Sequence, residues 1–202
     1  MLWTLRRVIL LPMRTKMTAL LSACRRLLRF VGYIERWMGV SLLIGIVLAI
    51  TTQVFTRYAL NRPIIWVEEF SVYAFIWGTF LGASLGLKYG RHVKIESYVA
   101  HLPARGQATA RLLVNLIVFL VLWLLVQEVG KVIVIESRST SVSLPWPIPR
   151  AWFYSIPIMV SCLSMMATCA YLMLAELGAL AGRAPVDGPQ SIMHATTRML
   201  PH

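Results

Sequence analysis

Residues 70–87 read FSVYAFIWGTFLGASLGL, a stretch without a charged side chain. It follows directly on Trp66-Val67-Glu68-Glu69, so two adjacent carboxylates stand at its beginning. A helix needs about 20 apolar residues (range about 17–25) to cross a hydrocarbon core of about 30 Å. The stretch therefore predicts a transmembrane helix that begins with a pair of carboxylates.

Similar uncharged stretches occur at residues 37–56, 112–127 and 151–175. The first and the last are long enough to cross the hydrocarbon core unaided, and the middle one becomes long enough if it continues to Ile135. The chain is 58% hydrophobic yet has a formal net charge of +12, which is typical of a membrane protein with several spans and basic loops. The predicted fold class is an all-α integral membrane protein with four transmembrane helices.

The segment before the first span is basic and has a different pattern. Within residues 18–37, apolar side chains recur at steps of three and four, and arginines occupy other positions. This predicts an amphipathic helix lying in the membrane interface, although a calmodulin-type target or a soluble bundle helix would show the same periodicity. Residues 1–17 are predicted to be a basic cytoplasmic tail, residues 38–178 the transmembrane domain, and residues 179–202 a disordered cytoplasmic tail. The predicted interfacial anchors are Arg25, Arg26, Arg29, Arg36, Trp37, Trp146 and Trp152.

Basic residues are distributed unevenly between the predicted loops. Of the 20 Lys and Arg residues, 15 lie in the N-terminal segment, the 88–111 loop and the C-terminal tail. Cytoplasmic loops of membrane proteins carry an excess of Lys and Arg. We therefore expect both termini and the 88–111 loop to be cytoplasmic, which places Glu68 and Glu69 on the outside.

Small residues recur every fourth position in the second predicted span. Gly78, Gly82 and Gly86 form a doubled small-xxx-small pattern. Such a pattern lets a neighbouring helix approach closely and pack by van der Waals contact. The ridge therefore predicts a helix contact, either within the chain or with a partner.

Catalytic and metal-binding patterns are missing from the sequence. The histidines, at positions 92, 101, 194 and 202, all lie outside the predicted spans, which argues against paired haem ligands within a bundle. No nucleotide-binding loop, serine-hydrolase elbow or zinc-protease motif occurs, and the cysteines have no metal-site spacing. We expect no enzyme activity, no cofactor and no metal. The charges around Arg91 are explained by topology, so we also expect no nucleic-acid partner.

The charged residues all lie near the predicted ends of spans. Glu68 and Glu69 would interact favourably with the N-terminal end of their helix dipole, and Glu128 and Lys131 are spaced to pair with each other. Autonomous transport would favour an ionisable group at mid-membrane or a broken helix. The sequence shows neither feature, which argues against autonomous transport. A self-contained proton-coupled exporter using Glu68 or Glu69 is nevertheless kept as an alternative, and an assembly or lipid-binding factor is a further one.

Several features together resemble one transporter family. They are Trp66-x-Glu68-Glu69 at the start of the second span, Gly82-Ala83-Ser84 within it, Gly90-Arg91-His92-Val93 after it, and a polar, proline-rich outer loop before Pro157. In their order and spacing these features resemble the small membrane subunit of tripartite ATP-independent periplasmic (TRAP) transporters, the DctQ-like family. The resemblance covers about residues 30–178. The sequence departs from the family pattern at Pro157-Ile158-Met159, where a glycine soon after the proline would be expected.

The resemblance implies a non-catalytic scaffold subunit in a bacterial inner membrane. Its implied partners are a large permease subunit, which carries the substrate and sodium sites, a periplasmic binding protein, which delivers an organic acid, and membrane lipid. The matching positions are implied to be structural or subunit-contact residues: Trp66, Glu68 and Glu69 at the outer motif, Arg91 and His92 at the inner one. Gly78, Gly82 and Gly86 lie between them.

Overall fold

The computed structural model describes residues 2–62, 64–89, 104–140 and 148–180, with side chains described for 21–62, 64–89, 106–140 and 148–178. Each of its four long helices contains a segment long and apolar enough to cross a membrane. This confirms the prediction of an all-α protein with four spans. The helices are α1, Leu2–Ala59; α2, Ile65–Lys88; α3, Ala104–Glu136; and α4, Ser155–Leu180, which follows a short 3₁₀ helix at Arg150–Trp152.

The turn between α1 and α2 fixes where the second span begins. Asn61 has a φ of 50°, a left-handed conformation that asparagine tolerates better than most residues. The Arg62 N–H donates a hydrogen bond to the Thr56 carbonyl at 3.1 Å and so satisfies part of the C-terminal end of α1. The chain then enters α2, which places Glu68 in the first turn of the helix, as predicted.

Helix α1 is longer than the sequence predicted. It continues without a break from Leu2 to Ala59, about 87 Å at 1.5 Å per residue, whereas a boundary was expected near Trp37. Leu21 and Leu28 are buried against Tyr171 and Leu172 of α4. Part of the apolar stripe of the basic segment is thus used for helix packing within the chain, whereas Cys24, Leu27 and Ile34 are exposed. Its location in the membrane interface stays a prediction.

The helices pack as two antiparallel pairs, α1 with α2 and α3 with α4, and α2 joins the pairs by lying against α4. Leu87, Leu122, Cys162 and Cys169 form the shared core. The Ser161 hydroxyl also donates a hydrogen bond to the Phe80 carbonyl at 2.6 Å, so a polar contact fixes α4 against α2.

Both ends of the α3–α4 pair are tied by polar side chains. At one end, the Ser155 hydroxyl donates a hydrogen bond to Glu136 Oε2. At the other end, Arg111 Nε lies 2.9 Å from Glu176 Oε1. These two contacts lie at opposite ends of the bundle and fix how far α3 and α4 slide along each other.

Candidate functional site

A buried polar network joins α1, α2 and α4. Lys88 Nζ donates hydrogen bonds to Glu35 Oε2 at 2.7 Å and to Ser164 Oγ at 2.8 Å. Ser164 Oγ in turn donates to Glu35 Oε1 at 2.6 Å. Ser84 Oγ lies 3.1 and 3.2 Å from the two carboxylate oxygens. We call these four residues, Glu35, Ser84, Lys88 and Ser164, the Glu35 network.

The charged pair of the Glu35 network is buried. The Lys88 and Glu35 side chains are 0% and 5% exposed, Ser84 is also buried, and Ser164 is half-buried. A buried charge is tolerated only when it is paired and its remaining polar atoms are hydrogen-bonded. Both conditions hold here, so the pair neutralises itself and holds three helices together.

The network also fixes the offset between helices along the bundle. Lys88 is the last residue of α2, whereas Ser164 lies nine residues after the start of α4, about 14 Å along its axis. Helix α4 therefore extends well beyond the end of α2. There it packs against the N-terminal half of α1 through the contacts of Leu21 and Leu28.

Sequence reasoning did not identify the Glu35 network. Glu35 falls within the segment predicted to be an amphipathic helix, and Lys88 is the first residue of the predicted 88–111 loop. Two signals were present: Glu35 is the single acidic residue before Glu68, and Ser84 and Lys88 are four residues apart, which puts them on one face of a helix.

The N-terminal part of α2 contains an aromatic cluster built around Tyr73, which is 4% exposed. Its ring is parallel to Phe153, with centroids 4.0 Å apart and planes at 7°, and meets Tyr154 edge-on at 5.4 Å. The Arg150 guanidinium lies 5.4 Å from the Tyr154 ring centroid. We call Tyr73, Phe153 and Tyr154 the Tyr73 cluster. It attaches the N-terminal part of α2 to the segment before α4.

The two predicted carboxylates have different surroundings. The Tyr73 hydroxyl donates a hydrogen bond to Glu69 Oε1, which ties Glu69 to the Tyr73 cluster. Glu68 is 70% exposed, and its nearest cation, Arg57, lies 3.8 Å away and is itself more than half exposed. An open depression of about 240 Å³ beside the pair is lined by Ile65, Glu68, Glu69 and Val72. Trp66 is about half exposed in the same turn.

The glycine ridge borders a groove between α1 and α2. A Cβ atom added at Gly78 or Gly82 would have no heavy atom within 4 Å, so neither glycine makes a close helix contact within this chain. The groove has a volume of about 360 Å³ and is mostly apolar. Gly86 is half-buried further along the helix. A contact of the ridge with a partner stays a prediction.

The remaining predicted site residues fall into two groups. Arg26, Arg36, Trp37 and Trp152 are exposed, and Arg25 and Arg29 are half-buried. Trp152 also accepts a hydrogen bond, through its carbonyl, from the Trp77 indole N–H at 3.3 Å. Arg91, His92 and Trp146 lie outside the described residues.

Comparison with known proteins identifies one transporter family. The family model described as "Tripartite ATP-independent periplasmic transporters, DctQ component" matches residues 46–178. This match covers α2, α3 and most of α4. It also includes the last 14 residues of α1, from position 46 to Ala59.

Individual relatives agree with the family match. The chain is 30% identical over 103 residues to a putative TRAP transporter small permease protein of Haemophilus influenzae, covering 51% of this chain and 64% of the relative. It is 30% identical over 83 residues to the sialic acid TRAP transporter small permease protein SiaQ of Vibrio cholerae, covering 41% and 48%. It is 26% identical over 99 residues to the sialic acid TRAP transporter permease protein SiaT of Haemophilus influenzae, covering 49% and 16%. The chain thus spans less than two thirds of each of these relatives.

Proposed function

Because this chain belongs to the DctQ component family of tripartite ATP-independent periplasmic (TRAP) transporters, we propose that it is a scaffold subunit for a large permease subunit. The proposed complex takes up an organic acid with sodium across a bacterial inner membrane, and a periplasmic binding protein delivers the acid. Two relatives are named for sialic acid and a third for C4-dicarboxylates. These names support an organic acid as the class of substrate.

The observation that carries the scaffold role is the burial of the Glu35–Lys88 pair within the bundle. A transport pathway needs ionisable or polar groups that a solute or ion can reach. In the described part of the chain, the buried carboxylate and ammonium groups are those of Glu35 and Lys88, and they are bonded to each other and to serines. The network supports a rigid body that supplies packing surface, while solute and ion binding belong to another subunit.

The topology proposed for this complex follows the positive-inside rule. Both chain termini lie in the cytoplasm, and the Tyr73 cluster and Glu68 face the periplasm. In this orientation Glu68 and Trp66 stand where a periplasmic protein or an outer loop of the large subunit would contact the chain. The family is described as a transporter component, which supports a role without enzyme activity.

Co-purification after mild detergent extraction tests the scaffold proposal. The full chain, expressed from its native locus with an affinity tag, is expected to bring a large polytopic membrane protein with it. Deletion of the chain is expected to abolish uptake of the organic acid. Recovery of the chain alone, together with proton-coupled transport by the purified chain in liposomes, would instead establish the exporter alternative.

Substitution of the two outer carboxylates is expected to separate their roles. Glu68→Gln is expected to lower uptake about two- to fivefold, as for loss of one exposed charge pair, with an unchanged thermal midpoint. Glu69→Gln is expected to lower the thermal midpoint, because it weakens a charge-assisted hydrogen bond from Tyr73. Uptake assays at low and high salt and thermal denaturation in detergent provide the two readouts.

Glu128→Gln is the matched control, because Glu128 is also an exposed acid, paired with Lys131 on α3. It is expected to leave uptake unchanged. If Glu128→Gln and Glu68→Gln lower uptake equally, Glu68 has no specific contact with a partner.

A further inference from the structure

The α1–α2 groove has a cation at one end and apolar walls along the rest. Arg36, Gly39, Val40, Leu43 and Ile46 form the wall on α1. The facing wall on α2 is formed by Phe75, Gly78, Thr79, Gly82 and Leu85. We propose that this groove binds one acyl chain of an anionic phospholipid, with the lipid phosphate at the Arg36 guanidinium.

Helix α1 itself indicates the depth of Arg36 in the bilayer. Arg36 and Arg57 are 21 residues apart on one helix, about 31 Å at 1.5 Å per residue, and the hydrocarbon core is about 30 Å thick. Beside Arg36, the rings of Tyr33 and Trp37 contact each other edge-on at 6.1 Å and are exposed. Tyrosine and tryptophan concentrate at headgroup level. Arg36 therefore lies at the depth of lipid phosphates.

The length of the groove matches one leaflet. From Arg36 to Ile46 on α1, and from Leu85 to Phe75 on α2, each wall covers ten residues, about 15 Å of helix. Half of a hydrocarbon core of about 30 Å is the same length. An acyl chain whose headgroup sits at Arg36 would fill the groove as far as the bilayer midplane.

Three glycines leave room in the groove for an acyl chain. The groove has a volume of about 360 Å³. Gly39, Gly78 and Gly82 create this space, since a Cβ at any of them would have no heavy atom within 4 Å.

Arginine supplies the headgroup selectivity. Its guanidinium presents several N–H donors in a planar fork that suits phosphate oxygens. Arg29 lies seven residues before Arg36 on the same face of α1, so a second cation lies two turns beyond the headgroup. Two cations on one face favour a lipid with a net negative charge over a zwitterionic one.

Native mass spectrometry of the purified full chain tests this proposal. The chain is titrated in detergent with phosphatidylglycerol or phosphatidylcholine of the same acyl composition. We expect phosphatidylglycerol to bind about fivefold more tightly, as for one basic residue near an anionic surface. Arg36→Gln is expected to remove this preference, whereas Arg26→Gln, which removes an exposed arginine outside the groove, is expected to retain it.

Groove-filling variants test the location of the acyl chain. Gly82→Leu from α2 and Gly39→Leu from α1 are both expected to abolish retention of either lipid. Gly45→Leu is the control, because Gly45 also has open space around it but does not line the groove. The thermal midpoint of each variant identifies any that fails to fold. Lipid retention by either groove variant that folds then shows whether the acyl chain occupies the groove.

Three results would overturn the proposal. Equal losses in Arg36→Gln and Arg26→Gln would mean that charge attracts lipid without a defined site. Unchanged lipid retention in a folded groove variant would mean that the acyl chain does not occupy the groove. Reduced recovery of a large membrane partner in that variant, with lipid retention intact, would assign the groove to a protein contact.

Discussion

Lys88→Met is expected to lower the free energy of unfolding by about 3–5 kcal/mol, which is the usual effect of removing one member of a buried ion pair. The substitution leaves the Glu35 carboxylate, 5% exposed, with two serine hydroxyls and no cation. A lone buried carboxylate carries a desolvation penalty that hydroxyl groups do not offset. Thermal denaturation in detergent, followed by size-exclusion chromatography, measures the loss.

The chain contains a matched control for this experiment. Lys131 and Glu128 form a second lysine–glutamate pair with the same 2.7 Å separation, but their side chains are 69% and 68% exposed. Exposed pairs contribute about 0–1 kcal/mol, so Lys131→Met is expected to leave the thermal midpoint nearly unchanged. Similar losses in the two variants would show that burial of the Glu35 network has no energetic consequence.

A double variant separates the charge from the packing. Replacing a buried ion pair by apolar residues of similar volume is often neutral or stabilising. Glu35→Leu combined with Lys88→Met is therefore expected to recover most of the stability lost in the single variant. If recovery restores the thermal midpoint but not uptake, the network has a role beyond holding α1, α2 and α4 together.

The existence of four spans followed from the sequence because burial in lipid imposes a simple requirement. Each span must be uncharged over about 20 residues, and the four windows of this chain meet that condition or approach it. The third window, residues 112–127, reaches the length of a span only if the helix continues to about Ile135, and α3 does end at Glu136. Such features depend on local composition alone, which a sequence displays directly.

The Glu35 network did not follow from the sequence because its members are far apart in the chain. Glu35 and Lys88 are separated by 53 positions, and each had a sufficient local explanation as an interfacial charge. The Glu69–Tyr73 bond is the opposite case. Its members are four residues apart on one helix, so helical spacing alone would have placed them together.

The continuity of α1 could not be predicted from the sequence either, for a different reason. A stripe of apolar residues at steps of three and four fits a helix lying on a membrane and a helix packed on another helix equally well. Leu21 and Leu28 use the stripe against Tyr171 and Leu172, and these contacts lie about 150 positions away in the chain. The periodicity defines the face, but the surface that covers it depends on the tertiary fold.

Tyr73→Ala is expected to lower the free energy of unfolding by about 3–5 kcal/mol, as for other buried large aromatic residues replaced by alanine. Tyr73 is 4% exposed, and its removal leaves a cavity beside Phe153 and Tyr154. It also releases Glu69 from its hydrogen bond to the Tyr73 hydroxyl. The N-terminal part of α2 would then lose its attachment to the segment before α4.

Two further variants provide reference values for the loss expected in Tyr73→Ala. Tyr73→Phe keeps the ring contacts and removes the hydroxyl, so its loss should match one hydrogen bond to a charged group, about 1.5–3 kcal/mol. Tyr58→Ala removes a tyrosine that is 77% exposed, and we expect a change within about 0.5 kcal/mol. The expected order of thermal midpoints is wild type and Tyr58→Ala highest, Tyr73→Phe next and Tyr73→Ala lowest. A Tyr73→Ala midpoint equal to that of Tyr58→Ala would mean that the Tyr73 cluster does not hold α2 against α4. The packing of the four helices would then depend on the Glu35 network and the apolar core.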